Sequence, residues 1–166
     1  YTAPIGAGSS STTSIGMDEA YQDGAILFYS LTPEGNRGPT LRDNKREGAN
    51  NLGVFVQEEL DLGERWGLSA GVRYDRISYH YESYLTPSLS DAKDFERLSP
   101  KVGLNYRLSP THAIYANIGG GVEAPAGNET DPAGTYGQDT VYAINPLLEP
   151  IISTSYELGT KQIATF

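Results

Sequence analysis

Residues 66–75 alternate without a slip: Trp66, Leu68, Ala70, Val72 and Tyr74 fall on one face, and Gly67, Ser69, Gly71, Arg73 and Asp75 on the other. A period of two predicts a β-strand, because successive side chains of a strand point to opposite faces. An apolar face that begins in Trp and ends in Tyr resembles a lipid-facing surface with an interfacial aromatic at each end. Residues 95–108 repeat the pattern, with Leu98, Pro100, Val102, Leu104, Tyr106 and Leu108 against Arg97, Ser99, Lys101, Gly103, Asn105 and Arg107. That second face carries too much charge for a protein core. Residues 51–62 set Leu52, Val54, Val56, Leu60 and Leu62 against Asn51, Gly53, Gln57, Glu59 and Asp61, with Glu58 misplaced on the apolar face. A bulge would re-aim Glu58. Shorter versions occupy 112–122, with Ile114, Ala116 and Ile118 on one face, and 154–161, with Tyr156 and Leu158 opposite Ser155, Glu157 and Lys161. An outward strand over 21–31 precedes them, although its Ala25–Tyr29 run does not alternate.

The connections fall into two kinds. Residues 62–66 (Leu-Gly-Glu-Arg-Trp) and 108–112 (Leu-Ser-Pro-Thr-His) carry tight-turn chemistry. Residues 31–50, 82–94 and 121–153 read as long polar excursions. Short turns at one end and long loops at the other is the wiring of an outer-membrane barrel, with turns periplasmic and loops extracellular. The predicted fold is therefore all-β: an antiparallel transmembrane β-barrel segment of about six strands of a larger barrel. The strongest segments reach the roughly 9–11 residues a spanning strand requires.

Composition changes this picture little. No apolar run approaches the roughly 18 residues of a membrane helix. A formal net charge of −9 argues against nucleic acid as a partner, since phosphate selects a basic surface. The absence of cysteine removes disulfides and thiolate metal ligands. The Gly/Ser/Thr-rich stretch 6–14 carries no signal-peptide pattern.

The blocks Asn51-Leu-Gly-Val-Phe-Val-Gln-Glu-Glu59, Leu68-Ser-Ala-Gly-Val-Arg-Tyr-Asp75, Leu98-Ser-Pro-Lys-Val-Gly-Leu-Asn-Tyr106 and His112-Ala-Ile-Tyr-Ala-Asn117, followed by Ala124-Pro-Ala-Gly-Asn-Glu129, Asn145-Pro-Leu-Leu-Glu-Pro150 and Ser155-Tyr-Glu-Leu-Gly159, resemble the barrel of TonB-dependent outer-membrane receptors. The likeness leans to the branch that imports ferric siderophores and covers most of residues 51–161. It implies a bacterial outer-membrane receptor and transporter rather than an enzyme. Its partners would be a ferric siderophore or similar chelate, outer-membrane lipid and, through a plug and TonB box not recognisable here, the TonB complex; it implies no cofactor. On this likeness residues 1–166 are one partial barrel domain, a piece of wall with its plug and remaining strands elsewhere. Phe166 is then a truncation, since Lys161–Thr165 is not an aromatic-alternating terminal strand. The chain departs from the family at Gly119-Gly-Gly-Val-Glu123, where an aromatic and an arginine are common, and at Ile151 and Ile152, where a glutamate often follows the proline.

Two sets of residues are candidates for function. Arg73, Asp75, Arg97, Lys101, Arg107, Glu157 and Lys161 are expected to face the lumen, where they solvate the interior and pair with one another or with the plug, or line the path of an anionic complex. Tyr79, Tyr81 and Tyr84 in one loop, with Tyr136 and Tyr142 in another, are candidates for holding a chelate at the mouth, because an aromatic face packs on the flat, partly apolar side of such a ligand. Each is equally accounted for as an interfacial tyrosine. His80 near the rim would need a placed nucleophile or acid to be catalytic, and none is legible. His112 reads as an interfacial residue beside a turn. Asn128, Glu129, Asp131 and Asp139 lack the spacing of a calcium loop, and Asp18, Glu19 and Asp23 read as hydrated surface. The competing architectures are a soluble all-β, adhesin-like binding module, which requires a dry core between the apolar faces, and a barrel hydrolase; within the barrel reading, cobalamin or glycans are alternative cargoes.

Overall fold

The computed structural model describes residues 1–6, 8–125, 144 and 148–164. Seven strands, β1 (Thr2–Gly6), β2 (Ser9–Leu31), β3 (Arg37–Leu62), β4 (Trp66–Ser83), β5 (Asp91–Ser109), β6 (His112–Glu123) and β7 (Ile151–Gln162), form one antiparallel sheet in chain order. The sheet is open, with β1 and β7 at its edges. Among the described residues the helical content is a single 3-10 turn, Pro87–Leu89, between β4 and β5.

The alternation is realised as expected. In the β3–β4 and β4–β5 ladders Val56, Val72 and Pro100 are aligned, as are Leu60, Leu68 and Leu104. From the Trp66 turn to the level of Tyr74 the alternating apolar positions of β3 to β7 therefore share one face. Among the described residues nothing is packed on that face: Leu158 is 85 % exposed, Leu98 59 % and Val102 53 %. A soluble module would bury such a row, so the dry inter-sheet core of the adhesin-like alternative is absent from the described residues. Trp66 and Tyr106 meet near the short turns with ring centroids 4.5 Å apart. The turn beside them depends on Gly63, whose φ of 60° is favourable only for glycine.

The structure refines the sequence reading at three points. The sheet has seven strands rather than about six, because the small hydroxyl residues of 9–14 extend β2 down to pair with the lower half of β3, and β1 pairs in turn with β2. Of the segments expected as long loops, 31–50 is mostly strand, and 82–94 keeps a loop only over 84–90, between β4 and β5. Thr32 and Asn36 close the first hairpin through a 2.9 Å backbone bond, with Gly35 at φ 82°. β3 has 26 residues and a spanning strand needs only about 9–11, so more than half of β3 lies beyond any membrane zone. Out there both faces meet water or loop, and the apolar period that marks a strand in sequence fades. Finally, no bulge re-aims Glu58. The register runs unbroken through Thr13–Glu58–Ala70, and the carboxylate stays on the apolar face.

One break in the ladder is dictated by chemistry. β5 pairs with β6 only from Lys101–Gly119 downward, and the pairing stops beside Pro100. Proline has no N–H to give a ladder. β6 continues upward on β7 alone, to Glu123–Ile151.

Placing a cation on the apolar face tests which solvent it meets. Val102→Arg, midway between the Trp66 and Tyr74 levels, is expected to destabilise the full-length protein folded into lipid vesicles by about 2–4 kcal/mol, whereas Asn105→Arg, on the other face, should cost less. Urea titration of both variants in vesicles makes the comparison.

Candidate functional site

The opposite face is polar and internally paired. Arg73 and Asp75 stand two apart on β4, so they share this face, and the Arg73 Nε donates to Asp75 at 2.8 Å. The other end of the guanidinium reaches across β3 to Asp18 on β2, with Nη1 and Nη2 donating at 2.6 and 2.9 Å. The reach is open because Gly53, paired with Asp18 on one side and Asp75 on the other, has no side chain; a Cβ there would overlap the guanidinium. Asp75 is 5 % exposed, so this is a shielded pair with charge-assisted bonds. Asp18 is thus a partner of the site rather than free hydrated surface.

Arg97 lies opposite Asp75 in the ladder, Ser99 opposite Arg73, and Asn51 opposite Ile77. The Arg97 Nε, the Ser99 Oγ and the Asn51 Oδ1 are buried without a hydrogen-bond partner among the described residues. Buried polar atoms are normally satisfied, so three around one level of one face mark a surface that further atoms complete.

Toward the short turns the same face opens into a groove of about 360 Å³ floored by Gly67 and Gly103 and bordered by Glu59, Asp61, Asn105, Asn117, Glu157 and Lys161. Tyr115 donates to Glu157 at 2.8 Å and Asn117 at 3.2 Å, and the Lys161 Nζ lies 5.3 Å from the Tyr115 ring centre. Gly159 leaves the space that the Tyr115 ring occupies. Arg107 donates to Asp61 at 3.0 Å, and Lys101 lies against Gly71. All seven residues expected on the luminal side therefore occupy one face.

Past Asp75 the polarity of β4 inverts while its period persists. Arg76, Ser78, His80 and Glu82 now continue the formerly apolar face, and Ile77, Tyr79 and Tyr81 the formerly polar one. These last three, with Ile144, form the buried hydrophobic cluster, joined by Ala49, Leu89, Phe95 and Val122. Tyr79 and Tyr81 are each 6 % exposed, and the Tyr79 hydroxyl donates to the Pro125 carbonyl at 2.6 Å. Lys93 donates to the Leu148 carbonyl at 2.8 Å. Pro125, Ile144 and Leu148 all belong to the β6–β7 connection, so this connection is held onto the face at three points. Tyr84 is 47 % exposed and donates to Glu82 at 3.0 Å, apart from Tyr79 and Tyr81. Tyr136 and Tyr142 lie outside the described residues, as do Asn128, Glu129, Asp131 and Asp139.

On the outer side of the same extension Asp23 accepts two bonds from Arg46 Nε, at 3.1 and 2.9 Å, and a third from Nη2 at 2.5 Å. The His80 ring stands 3.4 Å from Asp23, stacks on Tyr21 and fills the space left by Gly48. The Arg46 bonds, helped by His80, hold the Asp23 carboxyl down at about 2. His80 is thus a member of a strand-to-strand clasp with no nucleophile beside it, and His112 bonds Thr160 at 2.8 Å. Asp18, Gly53, Arg46 and Lys93 escape sequence reading, because each acts on a residue brought alongside only by the ladder.

The sequence model described as TonB dependent receptor-like, beta-barrel, matches residues 2–166. Among solved structures, the ferric citrate transporter FecA in its unliganded form superposes with a TM-score of 0.75 at 19 % identity, over 97 % of this chain and 23 % of that one. The ferric-catecholate import receptor Fiu of E. coli K12, in a closed form, gives 0.62 at 16 % identity, over 93 % and 26 %. The chain spans about a quarter of the length of each, and at these identities the likeness is one of fold.

Two predictions follow from the pairings. Gly53→Ala is expected to displace the Arg73 guanidinium, free Asp18 and lower stability; urea titration beside Asp18→Asn separates this from a general strand defect, since the two changes should not add. Asp23, with its pKa lowered, ties β2 to β3 fully above the ordinary carboxylate value of 3.8 and loses the tie as pH falls toward 2. A carboxyl-carbon NMR titration should place the Asp23 midpoint near 2, and Arg46→Ala should bring it back up toward 3.8.

Proposed function

Because the chain belongs to the TonB-dependent receptor β-barrel family, we propose that it forms a section of barrel wall in a bacterial outer-membrane receptor that takes up ferric siderophores. The observation that carries this reading is the division of one sheet into two faces. Large apolar side chains stand exposed on one side, as lipid contact requires. On the other, charged groups are paired and several buried polar atoms await partners, which suits a wall lining a lumen filled by a plug.

In this reading the ends of the sheet have separate tasks. The periplasmic half, with its Gly-floored acidic groove and the Arg73 network, presents polar groups to the plug. The extracellular half, where Tyr79, Tyr81 and Phe95 interleave with Lys93, offers aromatic surface and positive charge to an iron chelate. Binding there requires the β6–β7 connection to yield the face it covers. Energy relayed through TonB then rearranges the plug and the chelate passes. Iron in its chelate is cargo, and the wall supplies only binding and shape. The cargoes of the two structurally similar receptors, ferric citrate and ferric catecholate, support iron over cobalamin or a glycan.

The test is uptake of radiolabelled ferric citrate and of a ferric catecholate by iron-starved cells carrying the full-length receptor. Tyr81→Ala is expected to weaken uptake affinity about tenfold, equivalent to about 1.4 kcal/mol, with the barrel still heat-modifiable on gels. Unchanged affinity for both chelates would remove Tyr81 from the site, and failure to carry either while carrying cobalamin or a glycan would replace the cargo.

A further inference from the structure

Of the seven charged residues on the polar face, five are already engaged. Arg73 is held by Asp18 and Asp75, Arg107 by Asp61, and Glu157 by Tyr115 and Asn117, while Lys161 lies against the Tyr115 ring. Arg97 and Lys101 are left over. No ion pair joins either of them to an acid among the described residues, and the Arg97 Nε makes no hydrogen bond there. Asp75, which stands opposite Arg97 in the ladder, is taken by Arg73. Arg97 and Lys101 are four residues apart on β5 and so share one face, with Ser99 between them.

Ser99 is the centre of a cross. Arg97 and Lys101 flank it along the strand, each with its Cα about 7 Å away by the rise of a β-strand, and Arg73 is its partner across the β4–β5 ladder. Three cations thus surround one hydroxyl, and that hydroxyl is itself buried without a hydrogen-bond partner among the described residues. Glycines keep the surroundings clear. Gly71 stands opposite Lys101 on β4, Gly119 opposite it on β6, and the Lys101 stem lies beside the space that a Gly71 Cβ would fill. The acids of this face gather elsewhere, with Glu59, Asp61 and Glu157 in the groove nearer the short turns. Two cations without an acid, set around an unsatisfied hydroxyl, describe a site for anionic oxygens. Such oxygens accept from guanidinium, ammonium and hydroxyl alike, and most strongly from the charged donors.

The patch is continuous with the aromatic surface above it. Phe95 is the next residue outward from Arg97 on the same face, and its ring meets Tyr79 edge-on with centroids 6.0 Å apart. We infer that Arg97, Ser99 and Lys101 form an inner subsite for the anionic oxygens of a ferric chelate, entered from the aromatic surface of the mouth. Gly120 of β6 passes within van der Waals reach of Ser99, so the hydroxyl is reached as that part of β6 yields with the connection it leads into. The inference rests on the function proposed above. It divides the seven charges into two that touch the cargo and five that hold the wall together.

The experiment is calorimetric titration of the full-length receptor with ferric citrate and with a ferric tris-catecholate, each at low and high sodium chloride. Conductance of the ligand-free receptor in planar bilayers reports in parallel whether the plug is seated. Arg97→Gln combined with Lys101→Gln is expected to weaken binding of the chelate about tenfold, to flatten its salt dependence and to leave the conductance closed. Arg97→Lys combined with Lys101→Arg keeps both charges and should keep the salt dependence. Unchanged affinity in the neutral pair would overturn the subsite, and an open conductance beside it would assign the two cations to a carboxylate of the plug. A loss of affinity that is the same at both salt concentrations and shared by the charge-keeping pair would overturn it too, as a defect of shape. A wild type that binds neither chelate would instead bring down the ferric-chelate function, and this subsite with it.

Discussion

In hydrocarbon a backbone N–H or C=O has no solvent to turn to, so a spanning sheet must pair every strand across the full width of the membrane zone. The β3–β4 and β4–β5 ladders meet that demand, running in unbroken register between the Trp66 turn and Tyr74, whereas the β5–β6 ladder ends at Lys101, level with Gly71 in the upper part of that segment. Continuous register fixes which residues share a face, because a slip of one residue would reverse every side chain. The two-faced character of the wall is thus a consequence of backbone satisfaction, and the polar networks are built on top of it.

Pro100 shows the same constraint from the other side. Below it β5 and β6 are laddered; above it they run without shared bonds, and β6 is carried by β7 alone. Gly120 lets β6 pass within van der Waals reach of Pro100 and Ser99. The run Gly119-Gly120-Gly121, which departs from the family's bulky and basic pattern, is accordingly suited to a strand that leaves its neighbour at the upper margin. Flexibility there has a geometric use: the β6–β7 connection begins immediately beyond, and its Pro125 reaches back over β5 to the Tyr79 hydroxyl on β4.

How much of this a sequence reveals depends on which solvent each face meets. Residues 66–75 and 95–108 are legible because lipid on one side and water on the other impose opposite demands on alternate positions. The extension of β2 and β3 beyond the membrane zone is not, because Arg37–Asn50 has no apolar face to advertise. The inversion of β4 at Asp75 also hides in plain sight. The strand is expected to run on to Tyr81, but nothing in the sequence says that Arg76, Ser78 and His80 continue the face that is apolar below Asp75. The polar set was readable by parity, from Arg73 to Lys161. Its pairings were not, since Asp18 and Gly53 act on Arg73 from strands 20 and more residues away in sequence, and only the register brings them together. Glu58 was visible as a misfit, but the hydroxyls that hold it lie in the Gly/Ser/Thr-rich stretch 6–14, which has no apolar period to mark it as strand.

Among the described residues this wall has almost no interior of its own. The buried hydrophobic residues among them are Ile77, Tyr79, Tyr81 and Ile144, clustered at the end away from the short turns. Elsewhere the sheet is held by its ladder, by lipid on one face and by charge pairs on the other. A small dry core placed at the mouth serves a different end from overall stability. It seats Pro125, Ile144 and Leu148 of the β6–β7 connection on Tyr79, Tyr81 and Lys93. Under the function proposed above, a chelate and the connection would compete for this one surface, and only a ligand that offered these rings and Lys93 more than Ile144 and the Leu148 carbonyl do would displace the connection. Selectivity would then be a difference between two occupancies of the same face, set as much by the strength of the protein's own contact as by the chemistry of the ligand.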